Sequence, residues 1–242
     1  MLTNDKKKKI INFYGIKFYN ISYENIIKIL IKKKSYLVAP AAYPLSEIEN
    51  NLKYLLSLRD STVAILDSGF FCILLNIFYK IKTKKFSGYL FFSKFINDVA
   101  FKNKKILLIN PDISRDKIYN KFFYKNGFSK VSSYIAPIYN DYIEDKKILK
   151  VINRIKPKVI IVNISGIKQE ILANYIHKKI NYNFFIVCTG AAISLCMYKN
   201  FKVFDKLFLG WLYRLFIHRY IFFRLFKSLK IIFFFITKKN IN

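Results

Sequence analysis

A chain of 242 residues that is 53% hydrophobic has enough apolar side chains for one large core, which excludes global disorder. Its formal charge is +29, from 43 basic and 14 acidic residues, and this points to phosphate-bearing ligands, an anionic membrane surface or nucleic acid. Three cysteines, Cys72, Cys188 and Cys196, are odd in number and lack metal spacing, so they read as thiols in a reducing cytosol rather than as a disulfide framework.

In chain order, MLTNDKKKKI is charged, but no apolar run follows. INFYGIKFYN (11–20) is too short and too polar for a signal peptide. SYLVA (35–39) is the first predicted strand, and it leads into the proline-bent loop VAPAAYPLS (38–46). Ser46 stands where the N-cap of a helix over 46–58 belongs. TVAIL (62–66) is the next strand and ends on Asp67, with Ser68-Gly69 forming a turn into a helix over 70–79. A carboxylate there suits a general base for a sugar hydroxyl, and it equally suits a cap on the helix that follows.

KILLIN (105–110), VSSYIA (131–136), VIIVNI (159–164) and FFIVC (184–188) continue the strands; helices are predicted over 115–126, 141–155, 167–179 and 190–198. Ser114 is placed as an N-cap, Gly127 as a C′ glycine, and Pro157 separates a helix from its next strand. These strands are short and apolar without clean alternation, as strands buried on both faces are. Strand–helix alternation predicts a Rossmann-like α/β fold: a mostly parallel sheet flanked by helices.

Ligands of such sheets bind beyond the carboxyl ends of the strands. In NISGIKQE (163–170), Ser165-Gly166 turns into a helix whose free amides and Lys168 suit phosphate, while Gln169 can donate and accept toward a sugar or base. The plain alternative makes Ser165 a cap and Gln169 solvated. In CTGAAISL (188–195), Thr189-Gly190 allows close backbone approach, to a ligand or to a neighbouring strand. No aspartates lie two apart, and His177, read as a helix-surface residue, and His218 form no metal cluster, so no metal cofactor is expected.

The composition shifts near residue 201, which divides the chain into a Rossmann-like domain (1–200) and a basic, aromatic-rich helical appendage (201–242). The appendage has nine basic residues and one acid, Asp205. Three of the chain's six arginines, Arg214, Arg219 and Arg224, fall there among Trp211, Tyr213, Phe216, Tyr220, Phe222 and Phe223. Arginine retained amid lysine-rich composition suits bidentate phosphate contact, and the aromatics suit a membrane interface. At five-residue spacing a straight helix turns each arginine about 140° from the last, so one can face a diphosphate and another lipid phosphates. The run IIFFFI (231–236) is too short to span a bilayer. An apolar tail also suits a homo-oligomer contact.

The ordered series LVAPAAYPLSEIE, VAILDSGFFCILL, KKFSGYLFF, VIIVNISGIKQE, IVCTGAAISL and FDKLFLGWLYRLFIHRY resembles the WecG/TagA/CpsF glycosyltransferases from about residue 35 to 224. That resemblance implies metal-independent, inverting transfer of an N-acetylmannosamine-like sugar from a UDP-sugar to a polyprenyl-diphosphate-linked glycan acceptor. The product would feed a cell-surface polysaccharide or a teichoic-acid-type polymer. It implies a peripheral enzyme at the cytoplasmic face of the plasma membrane. It also implies Asp67 as base, Ser68 and Gly69 beside it, Gln169 and Glu170 at the sugar-nucleotide pocket, and Arg214, Arg219 and Arg224 near the diphosphate. The sequence departs from the family pattern at Ala39-Pro40-Ala41, where Thr-x-Asn is usual, at Ser68, which intervenes between Asp67 and Gly69, and at Leu209-Gly210-Trp211, which lacks the usual acid. Two alternatives are an inactive family member, suggested by the lost Thr-x-Asn, and a nucleic-acid-binding protein. No nucleic-acid motif appears, and the lysines are dispersed through every segment.

Overall fold

The computed structural model describes residues 9–140, 142–198, 201 and 226–237. Trp211, Arg214, His218, Arg219 and Arg224 lie outside the described residues, as does most of the appendage.

The chain opens on a hairpin, β1 (Ile10–Phe13) and β2 (Ile16–Tyr19), paired antiparallel with Phe13 opposite Ile16. Its two-residue turn, Tyr14-Gly15, has positive φ at both positions (54° and 79°), the backbone twist that matches flanking strands. The 11–20 segment that is too polar for a signal peptide is this hairpin. There follow α1 (Tyr23–Lys32), β3 (Ser35–Val38), α2 (Ala42–Ser46), α3 (Leu52–Arg59), β4 (Val63–Ile65), α4 (Gly69–Tyr79) and α5 (Gly88–Asn97). Then come β5 (Ile106–Asn110), α6 (Ile113–Lys125), β6 (Val131–Ile135), α7 (Lys146–Ile155), β7 (Val159–Val162), α8 (Lys168–Lys179), β8 (Phe185–Cys188), α9 (Ala192–Met197) and α10 (Lys230–Thr237).

All eight strands form one sheet in the order β1-β2-β4-β3-β8-β7-β5-β6, parallel except for the hairpin. The predicted α/β, Rossmann-like class is therefore the observed one. Alternate strand residues divide between two cores. Tyr36, Val38, Ala64, Leu107, Ile160, Val162 and Ile186 pack with α3, α4, α7, α8 and α10. Leu37, Val63, Ile65, Leu108, Ile161 and Val187 pack with α1, α5, α6 and α9. Helices on both faces account for strands that read as continuous apolar runs.

Several sequence expectations shift at helix starts. The helix predicted over 46–58 begins only at Leu52: Ser46 is the last residue of α2 rather than a cap, and Asn51 caps α3 by accepting from the Tyr54 amide at 2.9 Å. Ser114 lies inside α6, and the cap is Asp112, which accepts from the Arg115 amide at 2.7 Å. The α7 helix starts at Lys146, not 141, because Asp145 accepts from the Ile148 amide. In each case a side chain three residues before a free amide decided the start. Gly127 follows α6 with φ +80°, as expected of a C′ glycine. His177 is half-buried rather than on the surface, with its ring 5.2 Å from that of Tyr36. Cys72 and Cys188 are buried and Cys196 is half-buried, and none of the three forms a disulfide among the described residues.

Among the described residues no helix is long and apolar enough to cross a membrane. α10 is seated on the body: Ile231, Phe234 and Phe235 are buried in the same core as β1 and α4.

Candidate active site at the carboxyl edge of the sheet

Strand register lines up the site. Val38 pairs with Cys188, Cys188 with Val162, and Val162 with Ile109. One residue further along these neighbouring strands stand Ala39, Thr189, Asn163 and Asn110, a single row at the sheet edge. By the period-two alternation, all four point toward the α5–α6–α9 face. Asp67 is on the same face, just beyond β4 on the other side of β3.

Asp67 does not cap the helix that follows it. Ser68 does, its hydroxyl accepting from the Phe71 amide at 3.1 Å. Asp67 Oδ1 instead accepts from the Gly88 amide at 2.7 Å, at the first turn of α5. The carboxylate therefore lies against the positive end of a helix 21 residues further along the chain. Among the described residues its second oxygen takes no hydrogen bond. Gly88 is packed closely: a Cβ there would sit 3.1 Å from the Thr189 Cβ and 3.3 Å from the Thr189 carbonyl oxygen. Asp67 and Thr189 thus flank the same glycine.

The turn after β7 is tied to the turn after β8. The Gly190 amide donates to Gln169 Oε1 at 3.0 Å, Gln169 Nε2 donates to Glu170 Oε1 at 2.7 Å, and the Ile167 amide donates to Glu170 Oε2 at 2.7 Å. This chain holds Ile167 at φ +76°, where a β-branched residue is strained, and Gly190 at φ +58°. Gln169 and Glu170 are buried, so the solvated alternative for Gln169 does not hold. Nor is Ser165 a side-chain cap, because α8 begins after Ile167 without one. Ser165 and Gly166 are exposed; a Cβ on Gly166 would lie 3.3 Å from Pro44 Cγ, so the turn touches α2. The Lys168 ammonium donates to the Asn140 carbonyl at 2.6 Å.

Burial pushes the Glu170 carboxyl up from the usual 4.5 to about 7. Hydrogen bonds from Gln169 and the backbone oppose the rise, and the charge of nearby Asp67 adds to it. The folded value lies above the unfolded one, so native Glu170 holds its proton more tightly. Its contribution to stability is complete below pH 4.5 and is lost as pH rises through 7. Urea denaturation between pH 5 and 9 should show a loss of about 2–3 kcal/mol from this group. Glu170→Gln, which cannot titrate, should lack that slope; an unchanged slope would assign it elsewhere.

Asp67, Thr189, Gly190, Gln169 and Glu170 are brought together, whereas the three tail arginines fall outside the described residues. Sequence reading assigned no role to Asn110, Asp116 or Asn163. The signal available was an asparagine closing each of two neighbouring apolar strands, KILLIN and VIIVN. Among the described residues no three His, Cys, Asp or Glu side chains are grouped as metal ligands would be. A cavity of about 330 Å³ lies elsewhere, between the α2–α3 segment and α10, lined by Ser46, Glu49, Asn50, Lys230, Phe233 and Phe234.

The model of the Glycosyl transferase WecG/TagA/CpsF family matches residues 11–242, nearly the whole chain. No curated protein matches it.

Proposed function

As the chain belongs to the WecG/TagA/CpsF glycosyl transferase family and is a glycosyltransferase of that type, we propose that it transfers an N-acetylmannosamine-like sugar from a UDP-sugar to a polyprenyl-diphosphate-linked acceptor, with inversion and without metal. The observation that carries this reading is Asp67, set at the carboxyl ends of the strands beside Thr189 and within electrostatic reach of Glu170. An acceptor hydroxyl attacks the anomeric carbon of the donor. The bond from that carbon to the diphosphate oxygen breaks, UDP leaves with the bonding pair, and the hydroxyl proton passes to Asp67.

In this reading, charge building on the departing diphosphate is met by the amides of the Ser68-Gly69 and Ser165-Gly166 turns, by Lys168, and by Arg214, Arg219 and Arg224. Gln169 and Glu170 keep the Gly190 backbone in place from inside rather than by reaching into solvent. The basic, aromatic tail brings the enzyme to the anionic inner face of the plasma membrane.

The test is incubation of the full chain with anionic vesicles carrying a lipid-linked acceptor and a panel of UDP-sugars. Expected are saturable UDP binding, transfer of one N-acetylated sugar with inverted anomeric configuration, and vesicle association that weakens with salt. Absence of UDP binding and transfer, together with salt-steep oligonucleotide binding, would overturn it.

A further inference from the structure

Asn163 stands one residue past β7 and is 7% exposed, and its Oδ1 is buried with no hydrogen-bond partner among the described residues. Beside it, one residue past β8, Thr189 is 9% exposed, and its Oγ1 is likewise buried and unpartnered among the described residues. Two such atoms on adjacent strands of one row are unusual, because buried polar groups are nearly always paired.

The orientation of the Asn163 amide follows from a relay. Asp116 Oδ1 accepts from Asn110 Nδ2 at 2.7 Å, and Asn110 Oδ1 accepts from Asn163 Nδ2 at 2.7 Å. An ionised carboxylate can only accept, so Asn110 must turn its NH₂ toward Asp116 and its oxygen toward Asn163. Asn163 must then spend its NH₂ on Asn110, which leaves Oδ1 as an obligate acceptor. Reversing either amide would set two acceptors or two donors against each other.

We propose that Asn163, locked by Asp116 and Asn110, reads the nucleotide-sugar: its Oδ1 accepts from a neutral N–H or O–H of the ligand, with Thr189 Oγ1 as a second contact. The proposal rests on the reading of this chain as a UDP-sugar transferase. An acceptor locked in this way selects against phosphate oxygens, which also only accept. Two parts of the ligand have the required chemistry, the imide N–H of uracil and the hydroxyl or acetamido N–H of the sugar. Asn110 and Asp116 are positioning residues, acting on the ligand only through Asn163.

Calorimetric titration of the full chain with UDP, CDP and UDP-N-acetylglucosamine tests this. Asn163→Ala is expected to weaken binding about tenfold, the cost of one buried hydrogen bond. Equal loss for UDP and UDP-N-acetylglucosamine assigns the contact to the base; loss for UDP-N-acetylglucosamine alone assigns it to the sugar. Asp116→Asn unlocks the relay, because its amide can donate to Asn110 and so let Asn163 present NH₂. For a base contact this should narrow the preference for UDP over CDP, since cytosine offers an acceptor at that edge. For a sugar contact it should lower affinity for UDP-N-acetylglucosamine and spare UDP. Thr189→Val keeps the shape and removes a hydroxyl with no hydrogen-bond partner among the described residues. It should fold at least as stably as wild type and bind about threefold or more weakly, which keeps the test open if Asn163→Ala does not fold. Wild-type affinities in the folded variants would overturn the proposal and leave the transferase reading standing, whereas a wild type that binds no nucleotide would overturn both.

Discussion

Asp67→Asn is expected to lower kcat by about a thousandfold, within the range that a positioned general base contributes. Two features make this substitution informative. Oδ1 accepts from the Gly88 amide at 2.7 Å, and an asparagine oxygen can keep that bond, so the start of α5 should stay in place. What is lost is the capacity to take a proton. UDP affinity should therefore remain within a few-fold, and thermal unfolding should be nearly unchanged. A loss confined to kcat, measured by transfer with saturating donor and acceptor, is the signature of a group that acts in the transition state. Wild-type turnover would remove Asp67 from the chemistry and leave it as the acceptor of the Gly88 amide at the start of α5.

The second large effect lies far from the strand ends. Phe235→Ala should destabilise the protein by about 3–5 kcal/mol, as truncation of a buried aromatic ring typically does. Phe235 is 5% exposed, and its ring centroid lies 5.4 Å from Phe13, 5.8 Å from Phe71, 5.6 Å from Phe78 and 5.6 Å from Tyr79. It thus closes a cluster contributed by the hairpin, by α4 and by the end of the chain. Phe13 and Phe71 also pack edge-on against each other at 5.0 Å, which limits their movement into the cavity that alanine would leave. Urea denaturation gives the measurement; a change under 1 kcal/mol would mean that α10 does not rest on this core in solution. Deleting everything after residue 200 would uncover the same surface, so membrane binding by the tail is better tested with α10 kept.

Much of the fold is legible in the residues themselves. SYLVA, TVAIL, KILLIN, VSSYIA, VIIVNI and FFIVC each contain a strand, because short apolar runs with helical segments between them suit a parallel sheet; five are buried on both faces as expected, whereas β6, at the sheet edge, has no fully buried residue. The hairpin and α1 escaped that reading, since Asn12, Lys17 and the lysines of 28–34 dilute the apolar pattern. α5 escaped for the opposite reason: GYLFFSKF is so aromatic that its helical period is masked. In the site, Asp67 and the SGIKQE and CTG turns could be singled out because they follow strands. The burial of Gln169 and Glu170 could not, because polar residues at a helix start read as solvated until a second loop covers them.

Local chemistry along the chain determined where strands, turns and most helices form, and which loops carry carboxylates, amides and small residues. Tertiary structure decided which strand lies beside which, and so which loops meet. Only that order makes Gly88 the partner of Asp67, joins Gln169 to Gly190, and runs the relay from Asp116 through Asn110 to Asn163. The physical reason is that backbone propensity and capping act over a few residues, whereas these bonds join segments brought together by burial of the two cores, which a period in the sequence announces without naming the partner.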